Sequence, residues 1–241
     1  MYKKSVLDNG VRVVTCEMPK MKSVSFGVWF GAGGRLENKD NNGISHFLEH
    51  MCFKGSKRFS NREIKQIIEG AGGSLNGFTS EEFTCYLAKV LPKNLEKSFE
   101  VIVDMALNPT IDKNELEKDR FVILEEIRMY RDQPQSYVHE LLDALIWPSH
   151  PLGMNLTGTP ETIKSLTRDD LALYRDKSYS AGNIVISASG ALKHEKHTVL
   201  AKKFFKGLAK TKQNTLPATA ICYLAFPLPL LFVWIGRLIQ L

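Results

Sequence analysis

The sequence predicts an α+β protein with an antiparallel-rich mixed sheet and helices packed on one face. Alternate residues are apolar in the segment 24–30, which is typical of a half-buried strand. Strand-like segments are interspersed with segments of helical periodicity along the whole chain. Several connections are short, and the turn signal Asp8-Asn9-Gly10 indicates a hairpin. Neighbouring strands are therefore expected to run mostly antiparallel.

The predicted elements follow one another in chain order. A hairpin spans 7–17, the alternating strand spans 24–30, strand material extends over 75–90, and a late strand covers 183–189. Helices are predicted over 44–51, 62–70, 92–107, 112–130, 136–146, 168–177 and 193–205. Pro92 suits the opening of its helix, because the first turn needs no N–H donor there.

The helix over 44–51 carries the most informative motif of the chain, His46-Phe47-Leu48-Glu49-His50. Two histidines four positions apart share one helix face, so both imidazoles can reach a single zinc ion. Glu49 lies on nearly the same face and can take a proton from an activated water. The H-x-x-E-H order therefore predicts a zinc hydrolase, most simply a peptidase.

A downstream helix offers a third ligand. Phe121, Leu124 and Ile127 are expected to face the core, and Glu125 and Glu126 then project at adjacent angles. Either carboxylate could complete a site of two histidines and one glutamate that leaves the fourth zinc position to water.

Several segments together resemble the zinc peptidases of the pitrilysin and mitochondrial-processing-peptidase type (peptidase family M16), and most closely their bacterial processing-protease-like members. The segments that carry the resemblance are 43–51 with Phe53-Lys54-Gly55, Gly73-Ser74-Leu75-Asn76-Gly77-Phe78-Thr79-Ser80, Val122-Ile123-Leu124-Glu125-Glu126-Ile127, 158–163 and 183–186. The likeness extends from about residue 6 to about residue 210. It implies the metalloenzyme half-domain fold of that family.

The resemblance also implies roles for individual residues. His46, His50 and Glu126 would bind one zinc ion per chain, and Glu49 would be the general base. Asp119, seven positions before Glu126, takes the place of a supporting acid that is usually a glutamate.

The resemblance further implies a substrate-binding strand. Asn76 would contact the substrate or the attacking water, and Phe78 and Thr79 would belong to an edge strand that pairs with an extended peptide. The expected function is a zinc-dependent metalloendopeptidase that hydrolyses peptide bonds in extended peptides or presequences, with an activated water and Glu49 as base.

Members of the family are usually longer chains of two similar halves, and the resemblance covers only the first, zinc-carrying half. A second-half domain or a homologous subunit is therefore an expected partner. The alternative is a catalytically weak zinc-binding half-enzyme or interaction subunit that needs such a partner.

Composition sets further expectations. The 241 residues carry a net charge of +6 and 44% hydrophobic residues, which suits a globular domain. No aromatic-basic motif points to nucleic acid, and the scattered cysteines suggest reduced thiols. His194 and His197 lie among lysines and are expected to be exposed. The N-terminus has no apolar signal core, so a cytoplasmic location is expected.

The chain is expected to divide into a zinc-peptidase domain, 1–210, and an apolar tail, 211–241. No charged residue interrupts 220–235, yet Pro227 and Pro229 weaken a helix there. Three interpretations remain open: a membrane anchor, a segment packed against the domain or a partner, and an altered reading frame. The altered reading frame is favoured, because the composition changes abruptly, and membrane contact through the tail is possible but not favoured.

Overall fold

One mixed sheet of six strands organises the computed structural model, which describes residues 2–212. The strands are β1 Tyr2–Val6, β2 Arg12–Glu17, β3 Val24–Phe30, β4 Ser74–Thr79, β5 Thr84–Val90 and β6 Ile184–Gly190. Their order across the sheet is β1-β2-β6-β3-β5-β4. Every pairing is antiparallel except that of β2 with β6. The antiparallel-rich mixed sheet expected from the sequence is therefore confirmed.

The first hairpin turns where the sequence predicts, but its first strand lies earlier. Gly10 adopts a φ of +99°, a left-handed conformation that glycine tolerates without strain. The strand before the turn begins at Tyr2, outside the predicted span 7–17. This edge strand is mostly exposed, so burial has left no apolar alternation in its sequence.

Eight α-helices are described, and they cover one face of the sheet, as expected. They are α1 Ile44–Cys52, α2 Asn61–Ile68, α3 Leu95–Leu107, α4 Lys113–Arg131, α5 Pro134–Ile146, α6 Pro160–Ser165, α7 Arg168–Ser178 and α8 His194–Phe205. Helix α6 is absent from the predicted elements; it is short, and it begins at a capping box formed by Thr159 and Thr162.

The core lies between the sheet and the helices. Phe30 and Tyr86 are fully buried on the helix-facing side of the sheet, and Phe47 and Leu48 of α1 are buried in the same cluster. Helices α1, α3 and α8 contact the strands directly, whereas α4 and α7 pack on α1. The central helix α1 is thus held on two sides, which fixes the position of the histidine motif.

Helix α4 turns a different face to the core than the sequence suggested. Phe121 is 70% exposed, and the prediction that it faces the core is wrong. Ile127 is buried as expected, and Leu124 packs against the core. Leu116 and Ile123 are buried in place of Phe121, together with Asp119. Phe121 lies two positions from both Asp119 and Ile123, which places it near the opposite side of the helix.

Helix α8 also corrects an expectation. His194 and His197 are buried, at 8% and 2% exposure, although lysines flank them in the sequence. Together with Ala201 and Phe205 they form the inner stripe of the helix. The lysines occupy the outer face, so the local sequence composition was a poor guide to the exposure of these two histidines.

Two remaining expectations concern the membrane and the tail. Within residues 2–212, no helix has the length and apolar content needed to span a membrane. The tail predicted over 211–241 lies outside the described residues from position 213 onward.

Candidate metal centre

Helix α1 presents its two histidines to a cleft because its other face is anchored in the core. Phe47, Leu48 and Met51 are completely buried. His46 and His50 lie on the opposite side, and their side chains retain 15% and 19% exposure. Their ring centroids are 4.5 Å apart, as expected for neighbours one helical turn apart.

Glu126 of α4 lies across from this pair. Its Oε2 atom is 3.8 Å from Nε2 of His46 and 3.7 Å from Nε2 of His50. One ligand atom from each of the three residues falls within 4.8 Å of the others. A single ion between them could therefore reach all three.

The structure separates the two candidate glutamates. Glu125 points to the surface, where it forms an ion pair with Arg128 one turn further along α4. Glu126 alone of the two joins the histidines. The hundred-degree step between successive helical residues explains why only one of them can reach the cleft.

Asp119 supports His50 from behind. Its Oδ2 atom is 3.0 Å from Nδ1 of His50, and its other oxygen forms an ion pair with Lys54. Asp119 is 1% exposed, so this arrangement fixes the imidazole in a buried setting. With Nδ1–H donating to the carboxylate, Nε2 of His50 keeps its lone pair for a ligand on the cleft side.

The two histidines differ in their electrostatics. Burial lowers the pKa of His46 to about 3, and the neighbouring His50 adds to the shift. Burial also acts to lower the pKa of His50, but the hydrogen bond and negative charge of Asp119 outweigh it, so that this pKa is raised. His46 is thus neutral at pH 7, the state in which an imidazole can bind a metal.

Glu49 lies beside the three candidate ligands and touches strand β4. Its Oε2 atom accepts a hydrogen bond of 3.0 Å from Oγ1 of Thr79. Burial raises the pKa of Glu49, while His50 and the Thr79 bond oppose the rise. Gly77 allows this close approach, since a Cβ there would lie 2.9 Å from Oε1 of Glu49 and 2.8 Å from the Phe53 ring.

The predicted substrate-contacting residues of β4 point to both sides of the sheet. Thr79 faces Glu49, whereas Phe78 packs edge-on against Trp29 on the opposite side. Alternation along the strand puts Asn76 on the same side as Phe78, and its Oδ1 accepts from the N–H of Gly77. The expected contact of Asn76 with the attacking water does not fit this placement.

The wall of the cleft opposite β4 was not foreseen from the sequence. It is built by α5 and the loop that follows it, and it brings two carboxylates, Glu140 and Asp143, to the cleft. A third carboxylate, Glu81, lines the cleft from the turn that follows β4. Burial raises the pKa of Asp143, and the charge of Glu81 raises it further. Glu81 and the two carboxylates of α5 come from distant segments of the chain, so no local sequence pattern could have grouped them.

The fold and the site define a class of protein, an α+β domain that carries the inverted histidine-glutamate motif of zinc peptidases. A family profile described as insulinase (peptidase family M16) matches residues 12–160. A second profile, described as peptidase M16 inactive domain, matches residues 165–229 and so runs past the predicted boundary at 210. The chain belongs to peptidase family M16, which confirms the resemblance noted in the sequence.

Curated relatives agree with this assignment. The uncharacterized zinc protease YmxG of Bacillus subtilis is 45% identical over 190 residues, which cover 79% of this chain and 46% of the relative. The mitochondrial-processing peptidase subunit beta of Bos taurus is 38% identical over 216 residues, covering 90% of this chain and 44% of the relative. The chain thus spans somewhat less than half the length of these relatives.

Solved structures share the fold. A protease from Helicobacter pylori superposes with a TM-score of 0.84 at 26% identity, over 92% of this chain and 54% of that one. A peptidase M16 inactive domain from Pseudomonas fluorescens also has a TM-score of 0.84, at 18% identity, over 91% and 54% of the two chains. The predicted fold class is confirmed.

Proposed function

We propose that this chain is the zinc-binding half of a metalloendopeptidase that hydrolyses peptide bonds in extended peptides. One observation carries the proposal: one ligand atom from each of His46, His50 and Glu126 lies within 4.8 Å of the others. Glu49 follows His46 on the same helix, α1, and lies beside this group. Two imidazoles, one carboxylate and an adjacent free carboxylate are the parts that a zinc peptidase requires.

The donor set fits one zinc ion per chain. Nitrogen and carboxylate oxygen are ordinary zinc ligands, and Asp119 behind His50 forms the carboxylate–histidine pair that commonly orients such a ligand. When bound, zinc supplies a Lewis acid that polarises a carbonyl and lowers the pKa of water toward about 7.

Glu49 is the proposed general base. Its raised pKa brings its proton affinity closer to that needed at neutral pH, and Thr79 fixes the position of one of its oxygens. It would take a proton from the attacking water and pass it to the leaving amine. Asp119 does not touch the cleft and acts by holding His50.

Strand β4 is the proposed peptide-binding element. It forms one edge of the described sheet, and its residue Thr79 contacts Glu49. An extended peptide added to this edge would pair with backbone groups of β4, a mode in which Asn76 and Phe78 contribute through the strand itself. The carboxylates of Glu81 and Asp143 favour a substrate with basic side chains, because a cation would relieve their mutual repulsion.

A second candidate, a half-enzyme that needs a partner, is favoured by helix α5. None of its residues is buried, and its apolar side chains Leu141, Leu142 and Leu145 are 53%, 49% and 67% exposed. An exposed apolar stripe of this kind commonly marks a protein interface. The partner would be a second-half domain or a homologous subunit, consistent with the half-length coverage of the relatives.

The experiment compares the purified chain with its Glu49→Gln variant, in zinc content and in cleavage of quenched-fluorescence peptides with basic residues. We expect equal zinc content and a loss of cleavage of about 100-fold or more in the variant. Cleavage by the variant at the parental rate would overturn the role of Glu49. Zinc binding without cleavage by the parent chain would favour the half-enzyme.

A further inference from the structure

Glu37 is a buried carboxylate beneath the start of the metal helix, outside the cleft. It follows a short 3-10 helix, Gly34–Leu36, and is only 3% exposed. Burying a carboxylate is unfavourable unless hydrogen bonds replace its hydration. The hydrogen bonds that Glu37 accepts therefore indicate which parts of the structure its side chain stabilises.

The carboxylate of Glu37 caps helix α1. Its Oε2 atom accepts from the backbone N–H of Gly43 at 2.7 Å, and its Oε1 atom accepts from the backbone N–H of Ser45 at 2.9 Å. Both groups belong to the start of the helix, where N–H donors have no partner inside the helix. The negative charge also suits the positive end of the helix dipole.

The same carboxylate reaches the far wall of the cleft through Asn42. The side-chain amide of Asn42 donates to Oε2 of Glu37 at 3.1 Å and to the carbonyl oxygen of Asn155 at 2.9 Å. The side chain of Asn155 in turn donates to Glu140, which lines the cleft. One buried group is thus bonded to the metal helix and, through one amide, to the opposite wall.

Close backbone packing reinforces this link. Gly43 has a φ of +90°, and a Cβ placed on it would lie 2.8 Å from Cα of Gly158. The start of α1 therefore lies directly against the loop that contains Asn155 and Gly158. A shift of one would displace the other, because no side chain separates them.

We propose that Glu37 is a positioning residue for the metal centre, which sets where α1 begins relative to the loop at 155–158. His46 follows Gly43 by three residues, about 4.5 Å along the helix axis. The position of the helix start therefore determines where the two imidazoles meet Glu126. This inference rests on the proposed zinc site but assigns a role to a residue outside it.

The test is zinc affinity of the full chain, measured by competition with a chromophoric chelator. Glu37→Gln keeps the size of the side chain but replaces one acceptor oxygen with an NH2 group that faces an N–H donor. We expect zinc affinity to fall by about tenfold, at the lower end of the effects seen when groups supporting metal ligands are altered.

Two control variants separate positioning from general effects. Glu69→Gln changes an exposed carboxylate by the same chemistry, and Ile64→Val lowers stability from a buried site on α2. Both are expected to bind zinc as the parent does. Parental affinity in Glu37→Gln, or an equal loss in Ile64→Val at a similar melting temperature, overturns the proposal.

If Glu37→Gln does not fold, a second variant, Asn42→Ala, tests the proposal. Asn42→Ala retains both backbone bonds to Glu37 but removes the link to Asn155. We expect zinc affinity to fall, though by less than in Glu37→Gln, because the start of α1 loses its tie to the loop at 155–158. Parental zinc affinity in Asn42→Ala overturns the link to the loop. A parent chain that binds no zinc refutes the proposed function itself, which is a distinct result.

Discussion

At the residue scale, the site depends on which atoms of each side chain remain free. Nδ1 of His50 bonds Asp119, which leaves Nε2 for the cleft, whereas Nδ1 of His46 has no hydrogen-bond partner among the described residues. His50 is thus oriented by a charge and His46 by packing alone. Removing the charge of Asp119 should therefore disturb the orientation of His50 but not that of His46.

The variant Asp119→Asn tests this orientation. The amide preserves the shape of the side chain but removes the negative charge that stabilises the donating imidazole. Zinc affinity is expected to fall by about 10- to 100-fold, as is usual for such supporting carboxylates. Chelator competition measures it, with Glu117→Gln on the exposed side of the same helix as the control. Equal affinities in the two variants would show that the carboxylate does not act on His50.

At the element scale, the sequence anticipated most helices and strands because their periodicity reflects a single buried face. The segment 24–30 alternates and forms β3 as expected. Strand β1 was not predicted, because it is mostly exposed and therefore lacks an alternating apolar pattern. Phe121 was assigned to the wrong face of α4, because apolar residues occur on several faces of that helix. The motif residues of one helix were predictable from spacing, whereas the cleft wall at Glu140 depends on tertiary packing.

Helix α8 makes the stability of the fold depend on pH through His197. Burial lowers the pKa of this imidazole to about 4, and it packs edge-on against Phe99. The unfolded chain binds the proton near pH 6.5, so the free energy of unfolding should fall as the pH drops from about 6.5 to about 4. Protonation of His197 should lower the free energy of unfolding by about 3 kcal/mol in total, since each unit of the pKa difference between the unfolded and folded chain corresponds to about 1.4 kcal/mol.

His197→Leu removes this titration. Urea unfolding of the metal-free chain between pH 4 and 7 should show a shallower pH dependence in the variant than in the parent. His139→Gln, which replaces an exposed histidine, is the matched control. Identical slopes for the parent and His197→Leu would indicate that the buried imidazole does not resist protonation.

At the scale of the whole molecule, helix α5 stands out because none of its residues is buried within the described part of the chain. It forms one wall of the cleft and exposes an apolar stripe to solvent. Under the proposed half-enzyme, a second domain or subunit would pack on this stripe. The exposure of the stripe and the half-length match to the relatives would then have one explanation.

The double variant Leu141→Gln with Leu145→Gln tests that explanation. Each leucine is more than half exposed, so the melting temperature should change little, while self-association or binding of a homologous second half should weaken by about tenfold or more. Sedimentation velocity measures self-association and binding of the second half, and thermal unfolding measures the melting temperature. Leu173→Gln, at an isolated position that is 70% exposed, is the matched control. Unchanged association would remove α5 from the interface.

The central claim is that His46, His50 and Glu126 form the zinc centre, and one measurement tests it most directly. Elemental analysis after equilibration with limiting zinc would compare the parent chain with Glu126→Gln and Glu125→Gln, neighbouring positions of which only the first faces the histidines. We predict about one zinc per chain for the parent and for Glu125→Gln, and little zinc for Glu126→Gln. Equal zinc in all three proteins, or its absence from the parent, would contradict the account.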